Sequence, residues 1–406
     1  MISDKINIPK HVENILAHLN AGGYEAFVVG GCLRDIFMQK TPADWDVCTI
    51  ATPDEVLKIF DNIMPVTPTG IKHGTVTVLS SSHPVEVTTY RTDGTYADNR
   101  HPENVEFIKS LNDDLARRDF TINAMAYNHS VGLVDIFGGI TDIKNNLIRT
   151  VGNPYDRFKE DALRILRALR FSAVCGFSIE GETSLAIHSL SNLLGSISAE
   201  RSLAELKRIL LADKPGKIID EYIDVFKYII PNLNHSDYFK MLDSLPPELP
   251  LRMAALLGGF SSLEISSSLD SLRSEKTLKR SVLSITENSD TAPLTKAETK
   301  NFLRIHGVEN TKSILTFGYY KGAAFGNDSS PFKYALLAIE EILKNNECYS
   351  LGTLSVDGRD LINAGISSGK QIGNILEELL SSVINEQLEN KKEILLSAAI
   401  ELANSI

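Results

Sequence analysis

A β-rich apolar run, a glycine pair and two carboxylates one residue apart all fall between Ala26 and Ile50. Ala26-Phe27-Val28-Val29 reads as a strand that ends at Gly30-Gly31, and Leu33 to Gln39 reads as the start of an amphipathic helix. Glycines in such a turn let backbone N–H groups approach a phosphate, and the helix N-terminus favours an anion. Arg34 sits in the first helical turn, within reach of a triphosphate. Trp45 to Ile50 reads as a second strand, so Asp44 and Asp46 are expected to project from one face. Two like charges that close repel each other unless a cation lies between them. Magnesium takes carboxylate oxygens together with substrate phosphates. Two such ions can clamp both oxygens of an in-line phosphoryl displacement. Asp-x-Asp by itself is also common in turns and at solvated strand edges; the strand–glycine–helix context is what turns this pair toward nucleotide chemistry.

Size and composition bound the rest. At 406 residues the chain exceeds one ordinary domain, and 43% apolar with 23% charged residues is globular composition. No apolar run approaches the ~18 residues of a membrane span. Met1-Ile2-Ser3-Asp4-Lys5 lacks the apolar stretch of a signal peptide, so no membrane association is expected. Cys32, Cys48, Cys175 and Cys348 are scattered without Cys-x-x-Cys spacing, which argues against zinc and against a disulfide framework and fits a reducing cytoplasm. The net charge of −11 argues against a generally nucleic-acid-binding surface. Arg149 to Ala173, however, holds six basic residues against three acidic ones. That stretch is compatible with one polyanion in one groove; a solvated, salt-bridged helix face is the commoner origin of such a pattern.

The first third reads as mixed α/β. A helix from about 10 to 21 is followed by strands at Ala26–Val29, Trp45–Ile50, Gly74–Ser80 and Pro84–Arg91. Thr52 and Pro53 predict an N-cap and first position of a helix running to Phe60. Thr92 to Asn104 is a long polar segment of the kind that carries function, and Leu111 to Tyr127 is expected to return to helix. After Gly152-Asn153-Pro154 strand signals nearly vanish and helical periodicity runs to the end.

Two further clusters carry chemistry. In Glu160-Asp161-Ala162-Leu163-Arg164 the spacing predicts Asp161 and Arg164 on one helix face. An acceptor beside a fork of donors can read the Watson–Crick edge of cytosine or adenine and reject guanine and uracil. An intrahelical salt bridge would use the same spacing. In Arg117-Arg118-Asp119-Phe120-Thr121-Ile122-Asn123 the arginines suit phosphates, and Asp119 or Asn123 can hydrogen-bond a ribose hydroxyl; a charged helix N-terminus has the same composition.

Together these blocks resemble the class II tRNA nucleotidyltransferases (CCA-adding enzymes) of the polymerase-beta-like nucleotidyltransferase superfamily. The matching residues are Gly30-Gly31-Cys32-Leu33-Arg34-Asp35 with Asp44-Trp45-Asp46, then Arg117 to Ala124, Glu160 to Arg164, and Ser198-Ala199-Glu200-Arg201-Ser202-Leu203-Ala204-Glu205-Leu206. The resemblance is clear over about the first half of the chain. It implies an α+β (mixed α/β) nucleotidyltransferase head at 1–149 and then an all-helical neck (150–206), body (207–320) and tail (321–406) in a seahorse arrangement. It assigns Asp44 and Asp46 to Mg2+, with Glu86 as a third active-site carboxylate. Gly30, Gly31, Arg34, Arg117, Arg118, Asp119 and Asn123 would hold triphosphate and ribose. Asp161 and Arg164 would form the protein template, with Glu160 positioning the arginine, Arg167 beside them, and Glu200 and Arg201 bracing the neck. The implied reaction adds CCA to the tRNA 3′ end from CTP and ATP with release of pyrophosphate, and the implied partners are the tRNA acceptor arm and elbow. The oligomeric state, monomer or homodimer, stays open.

A-adding, CC-adding and poly(A) polymerases share the head and neck motifs. The full-length Thr92–Asn104 loop favours complete CCA addition over CC-only addition, and the acidic balance weighs against a poly(A) polymerase with a basic tail. No His-Asp dipeptide occurs, so no phosphohydrolase activity is expected. A non-catalytic RNA-binding protein on a degenerate transferase fold would have lost the carboxylate pair, and Asp44 and Asp46 are intact.

Overall fold

The structure is a computed structural model that describes residues 6–93, 105–367 and 369–405. Helix α1 (Lys10–Ala21) buries Val12, Ile15, Leu16 and Leu19 on one face, the 3.6-residue pattern of its sequence. Strand β1 (Ala26–Val29) leads through Gly30 into α2 (Gly31–Phe37), then β2 (Asp46–Thr49), α3 (Pro53–Phe60), β3 (Val66–Gly70), β4 (Thr75–Ser80) and β5 (His83–Thr89). A two-stranded ribbon of β6 (Arg91–Asp93) and β7 (Val105–Phe107) comes next, followed by α4 (Leu111–Ala116), β8 (Ala126–Asn128), β9 (Gly132–Val134) and α5 (Gly139–Lys144). Seven strands form one sheet in the order β3-β4-β5-β2-β1-β8-β9. Its pairings are antiparallel except β2 with β5, which run parallel and set Asp46 opposite Glu86. Helix α3 begins as its sequence requires: Glu55 Oε2 accepts from the backbone N–H of Thr52 at 2.8 Å, completing a capping box with Pro53 in the first turn.

The described residues of the first third differ from sequence expectation at two places. The strand expected from Trp45 begins at Asp46, because β1, its ladder partner, ends at Val29 opposite Asp46. Asp44 therefore precedes the strand, and pleat alternation does not set its direction. Leu111 to Tyr127 is not one helix: α4 stops at Ala116, Thr121–Asn123 is a 3₁₀ turn, and β8 starts at Ala126. The sheet takes Ala126–Asn128 as a fully buried strand, a tertiary requirement that local propensity does not carry. Most of the polar loop, residues 94–104, lies outside the described residues.

Helices then follow: α6 (Pro154–Glu160), α7 (Leu163–Cys175), α8 (Gly181–Leu190) and α9 (Ala199–Leu210), with the short strands β10 (Leu147–Ile148) and β11 (Ser178–Ile179) paired parallel. Here too a continuous helix was expected and a break is found. Asp161 is extended (φ −139°, ψ 103°), and its Oδ1 accepts from the Leu163 N–H at 3.1 Å, starting α7 as a separate helix. Helices α7 and α9 pack together, and Arg170 Nη1 reaches Glu205 Oε2 at 3.1 Å with both side chains buried.

By contacts the chain forms two compact units, 1–214 with 218–234, and 215–217 with 235–406. The second is helical. One of its cores gathers Leu303, Leu315, Phe332, Ile339 and Ile342, and another gathers Leu361, Ile375, Leu379, Leu380 and Leu395. At Gly318, on the helix Val308–Phe325, a Cβ would lie 2.1 Å from the Phe332 ring, so only glycine lets the helix Ser330–Lys344 pack that closely. Among the described residues no helix is long and apolar enough to cross a membrane.

The Arg170–Glu205 pair sets a stability prediction. Glu205→Gln leaves a buried guanidinium without its counter-charge and is expected to cost about 3 kcal/mol. The double variant Arg170→Met with Glu205→Leu should recover most of that loss in chemical denaturation.

Candidate active site

A cavity of about 680 Å³ opens within the first unit where the ends of β1, β2 and β5 face α7. Its lining includes Gly30, Gly31, Arg34, Asp46, Glu86, Arg117, Arg118, Asp119, Asn123, Asp161, Arg164 and Arg167. These residues lie far apart in sequence, and the fold brings them to one wall. Asp44 and Glu160 stand outside the lining. Seven arginines face four carboxylates around it, so a chain of net charge −11 holds a locally cationic pocket.

The turn at Gly30 is built from the backbone. Gly30 has φ +82°, a Cβ there would lie 3.2 Å from Arg118 Nη1, and its N–H donates to the Met125 carbonyl at 3.2 Å. Arg34 is held on both edges of its fork: Nη1 donates to Asn123 Oδ1 at 2.9 Å, and Nη2 to Asp35 Oδ1 at 2.7 Å. Asp114, a residue without an assigned role in the sequence, is fully buried and accepts from Arg117 Nη2 at 2.8 Å and Arg118 Nη2 at 3.3 Å. Burial alone would raise its carboxyl, but Arg118 and Arg117 hold it below the ordinary value. The buried Nε of Arg118 finds no acceptor among the described residues.

Asp119 is the joint of the site. Oδ1 accepts from the Phe120 N–H at 2.8 Å and Asn123 Nδ2 at 3.2 Å, and Oδ2 accepts from Arg167 Nε at 2.8 Å and from Arg167 Nη2. Burial would push this carboxyl up, but the Arg167 ion pair and these hydrogen bonds draw it down to about 2. With four donors on two oxygens, Asp119 orients Arg167 and Asn123 instead of offering a free acceptor.

Asp161 and Arg164 do not pair with each other. Arg164 Nη1 donates to Glu160 Oε2 at 2.7 Å and Nη2 to the Arg117 carbonyl at 3.1 Å, while Asp161 Oδ2 accepts from Arg201 Nη2 at 3.3 Å. Glu160 thus fixes the arginine and Arg201 fixes the aspartate, each leaving its partner facing the cavity. The break at Asp161, absent from the spacing argument, separates the two side chains from an intrahelical salt bridge.

Asp46 and Glu86 are cross-strand neighbours in the parallel register. Burial, then Glu86 and Asp44, raise the Asp46 carboxyl to about 6 against the pull of Arg118. Uncompensated oxygen ligands of this kind fit a hard divalent cation. Among the described residues, no group of three or more His, Cys, Asp and Glu side chains converges to hold an ion unaided. A cation here would complete its shell with phosphate oxygens.

Phe171 was not legible as a site residue. Its ring lies 5.2 Å from the Arg34 guanidinium carbon, 5.6 Å from that of Arg167 and 4.2 Å from that of Arg170. In sequence it is one more apolar position of α7.

Comparison with known proteins decides the family. Residues 26–149 match the poly A polymerase head domain, 176–236 the probable RNA and SrmB-binding site of polymerase A, and 253–399 the putative tRNA nucleotidyltransferase domain 2. The CCA-adding enzyme of Oceanobacillus iheyensis is 37% identical over 393 residues, 94% of each chain. The chain belongs to the CCA-adding enzyme family. It is a tRNA nucleotidyltransferase. The CCA-adding enzyme of Ligilactobacillus salivarius is 33% identical over 98% of each chain. The solved structure of Bacillus stearothermophilus CCA-adding enzyme in complex with CTP matches with a TM-score of 0.82 at 27% identity, over 98% of this chain and 99% of that one. The structure of Thermotoga maritima CCA-adding enzyme complexed with tRNA shares the fold at a TM-score of 0.70, 23% identity and 97% and 96% coverage.

The raised carboxyl of Asp46 has a signed consequence. A folded value of about 6, above the ordinary 3.8, means that the folded protein binds this proton more tightly than the unfolded chain. Stability from this group is present below pH about 4 and is lost as pH rises through about 6. Asp46→Asn should therefore raise the thermal midpoint at pH 7 in a chelating buffer, and the advantage should vanish near pH 4.

Proposed function

We propose that the chain adds C, C and A in turn to the 3′ end of tRNA, taking CTP and ATP in one cavity and choosing the base with Asp161 and Arg164. The observation that carries the reading is the joint lining of one cationic cavity by Asp46, Glu86, the glycine turn, Arg34, Arg118 and the Asp161/Arg164 pair. The relatives named CCA-adding enzyme across nearly the whole chain support the same substrate class.

The tRNA 3′-hydroxyl attacks the α-phosphorus of the bound nucleotide, and pyrophosphate leaves. Arg34 and Arg118, both in the cavity lining, hold the triphosphate. Asn123, whose Nδ2 donates to Asp119 and whose Oδ1 accepts from Arg34, keeps one amide proton and one lone pair for a ribose hydroxyl. Asp161 accepts from the exocyclic amino group of C or A while Arg164 donates to the adjacent ring acceptor. Guanine and uracil present the opposite pattern on that edge and would leave both partners unsatisfied. Asp44 and Asp46, with Glu86 beside them, would hold Mg2+, which when bound neutralises charge developing on the transferring phosphoryl group and on the leaving pyrophosphate. Four parts, a head to 149, a neck to 206, a body to 320 and a tail beyond, would divide catalysis and base choice from grip on the tRNA acceptor arm and elbow by shape and backbone.

The reading is tested by supplying CTP and ATP, singly and together, to tRNA transcripts ending before CCA, after C and after CC. Growth by C, C and A that then stops is expected; long A tails or addition of one nucleotide type alone would overturn it. Asp46→Ala should abolish extension with both nucleotides. Asp161→Ala should keep measurable transfer but lose about tenfold or more of the discrimination against UTP and GTP.

A further inference from the structure

We propose that Phe171 is a positioning residue for nucleotide binding: its ring is the shared platform that aims Arg34 and Arg167 into the cavity. The inference rests on the nucleotide-binding reading of that cavity and adds to it an aromatic ring in the cavity wall that acts by holding the arginines.

Three guanidiniums, from Arg34 on α2 and from Arg167 and Arg170 on α7, approach one ring at 5.2, 5.6 and 4.2 Å. Each has its own carboxylate: Asp35 for Arg34, Asp119 for Arg167 and Glu205 for Arg170. The ring is the group common to all three. Like charges gathered in a poorly solvated wall repel one another, and the negative face of an aromatic ring offsets part of that repulsion without adding a titratable group. The ring's own orientation is fixed from behind, where Phe120 packs against it at 5.6 Å and an interplanar angle of 75°. Phe120 adjoins Asp119, so the backbone that carries the Asp119–Arg167 pair also carries the edge that sets the ring.

The consequence is clearest at Arg34. Asn123 and Asp35 hold the two edges of its fork, and Phe171 lies against its face. Edges and face together leave one orientation, so less rotamer freedom is lost when phosphate oxygens bind. A leucine at 171 would fill much of the same space but supply no face for the cations. Phe171 is 8% exposed and lines the cavity between these arginines, so most of its surface is spent on them.

The test replaces Phe171 with mono-, di- and trifluorinated phenylalanine in the full-length chain. Each fluorine weakens the negative face of the ring while nearly preserving its shape. KM for CTP and for ATP should rise together and stepwise, reaching about tenfold at the trifluorinated ring. The preference for C and A over U and G and the thermal midpoint should stay at parental values. Phe171→Leu should show the same rise in both KM values, and Phe171→Tyr should stay near the parent. A KM that is flat across the fluorinated series, with Phe171→Leu altering only the thermal midpoint, would reduce the ring to core packing and overturn the inference. A parent chain that extends no tRNA would overturn the proposed function itself, a result separate from a flat series in an active enzyme.

Discussion

The Asp119–Arg167 ion pair is the interaction on which the site depends. Asp119 follows the turn that leaves α4, Arg167 lies on α7, and the pair ties the sheet layer to the helix that carries Arg164 and Phe171. Removing a carboxylate from water is costly, and the cost is met only when geometry and further hydrogen bonds are good. Here the two guanidinium donors, the Phe120 N–H and the Asn123 amide all converge on it. From this joint the wall spreads outward: Asn123 holds Arg34, and the Arg117 carbonyl two residues upstream holds Arg164.

Such a wall solves an electrostatic problem posed by the chain's own composition. The net charge is acidic, yet the fold concentrates arginine around the glycine turn. Asp114, fully buried and outside the lining, and Asp119, in the cavity wall, neutralise that cluster, while Asp46 and Glu86 line the cavity without an arginine partner of that kind among the described residues. The two groups of carboxylates consequently differ: Asp119 is drawn down to about 2 by arginine, and Asp46 is raised to about 6 by burial and by its acidic neighbours. The first kind is structural charge. The second is an unfilled demand for positive charge.

Much of this was readable from residue order because local chemistry dictated it. The Gly30-Gly31 turn, the capping box at Thr52 and the alternation of β5 need only short-range rules. Spacing gave the cluster at Glu160–Arg164 but misjudged its geometry. A three-residue separation predicts a shared helix face only if the helix continues, and Asp161 ends it by accepting the Leu163 N–H. The buried strand Ala126–Asn128 and the pairing of Arg201 with Asp161 depend on contacts between distant segments. Phe171 was hidden for another reason: an aromatic residue at an apolar position of α7 gives no sign that three cations will gather on it.

The central claim, that one cavity reads both nucleotides, is tested most directly by calorimetric titration in the absence of tRNA. One nucleotide should bind per chain, ATP should displace CTP competitively, and UTP and GTP should compete only weakly. Simultaneous binding of CTP and ATP to one chain, or equal competition by all four nucleotides, would contradict a single cavity that selects its base through Asp161 and Arg164.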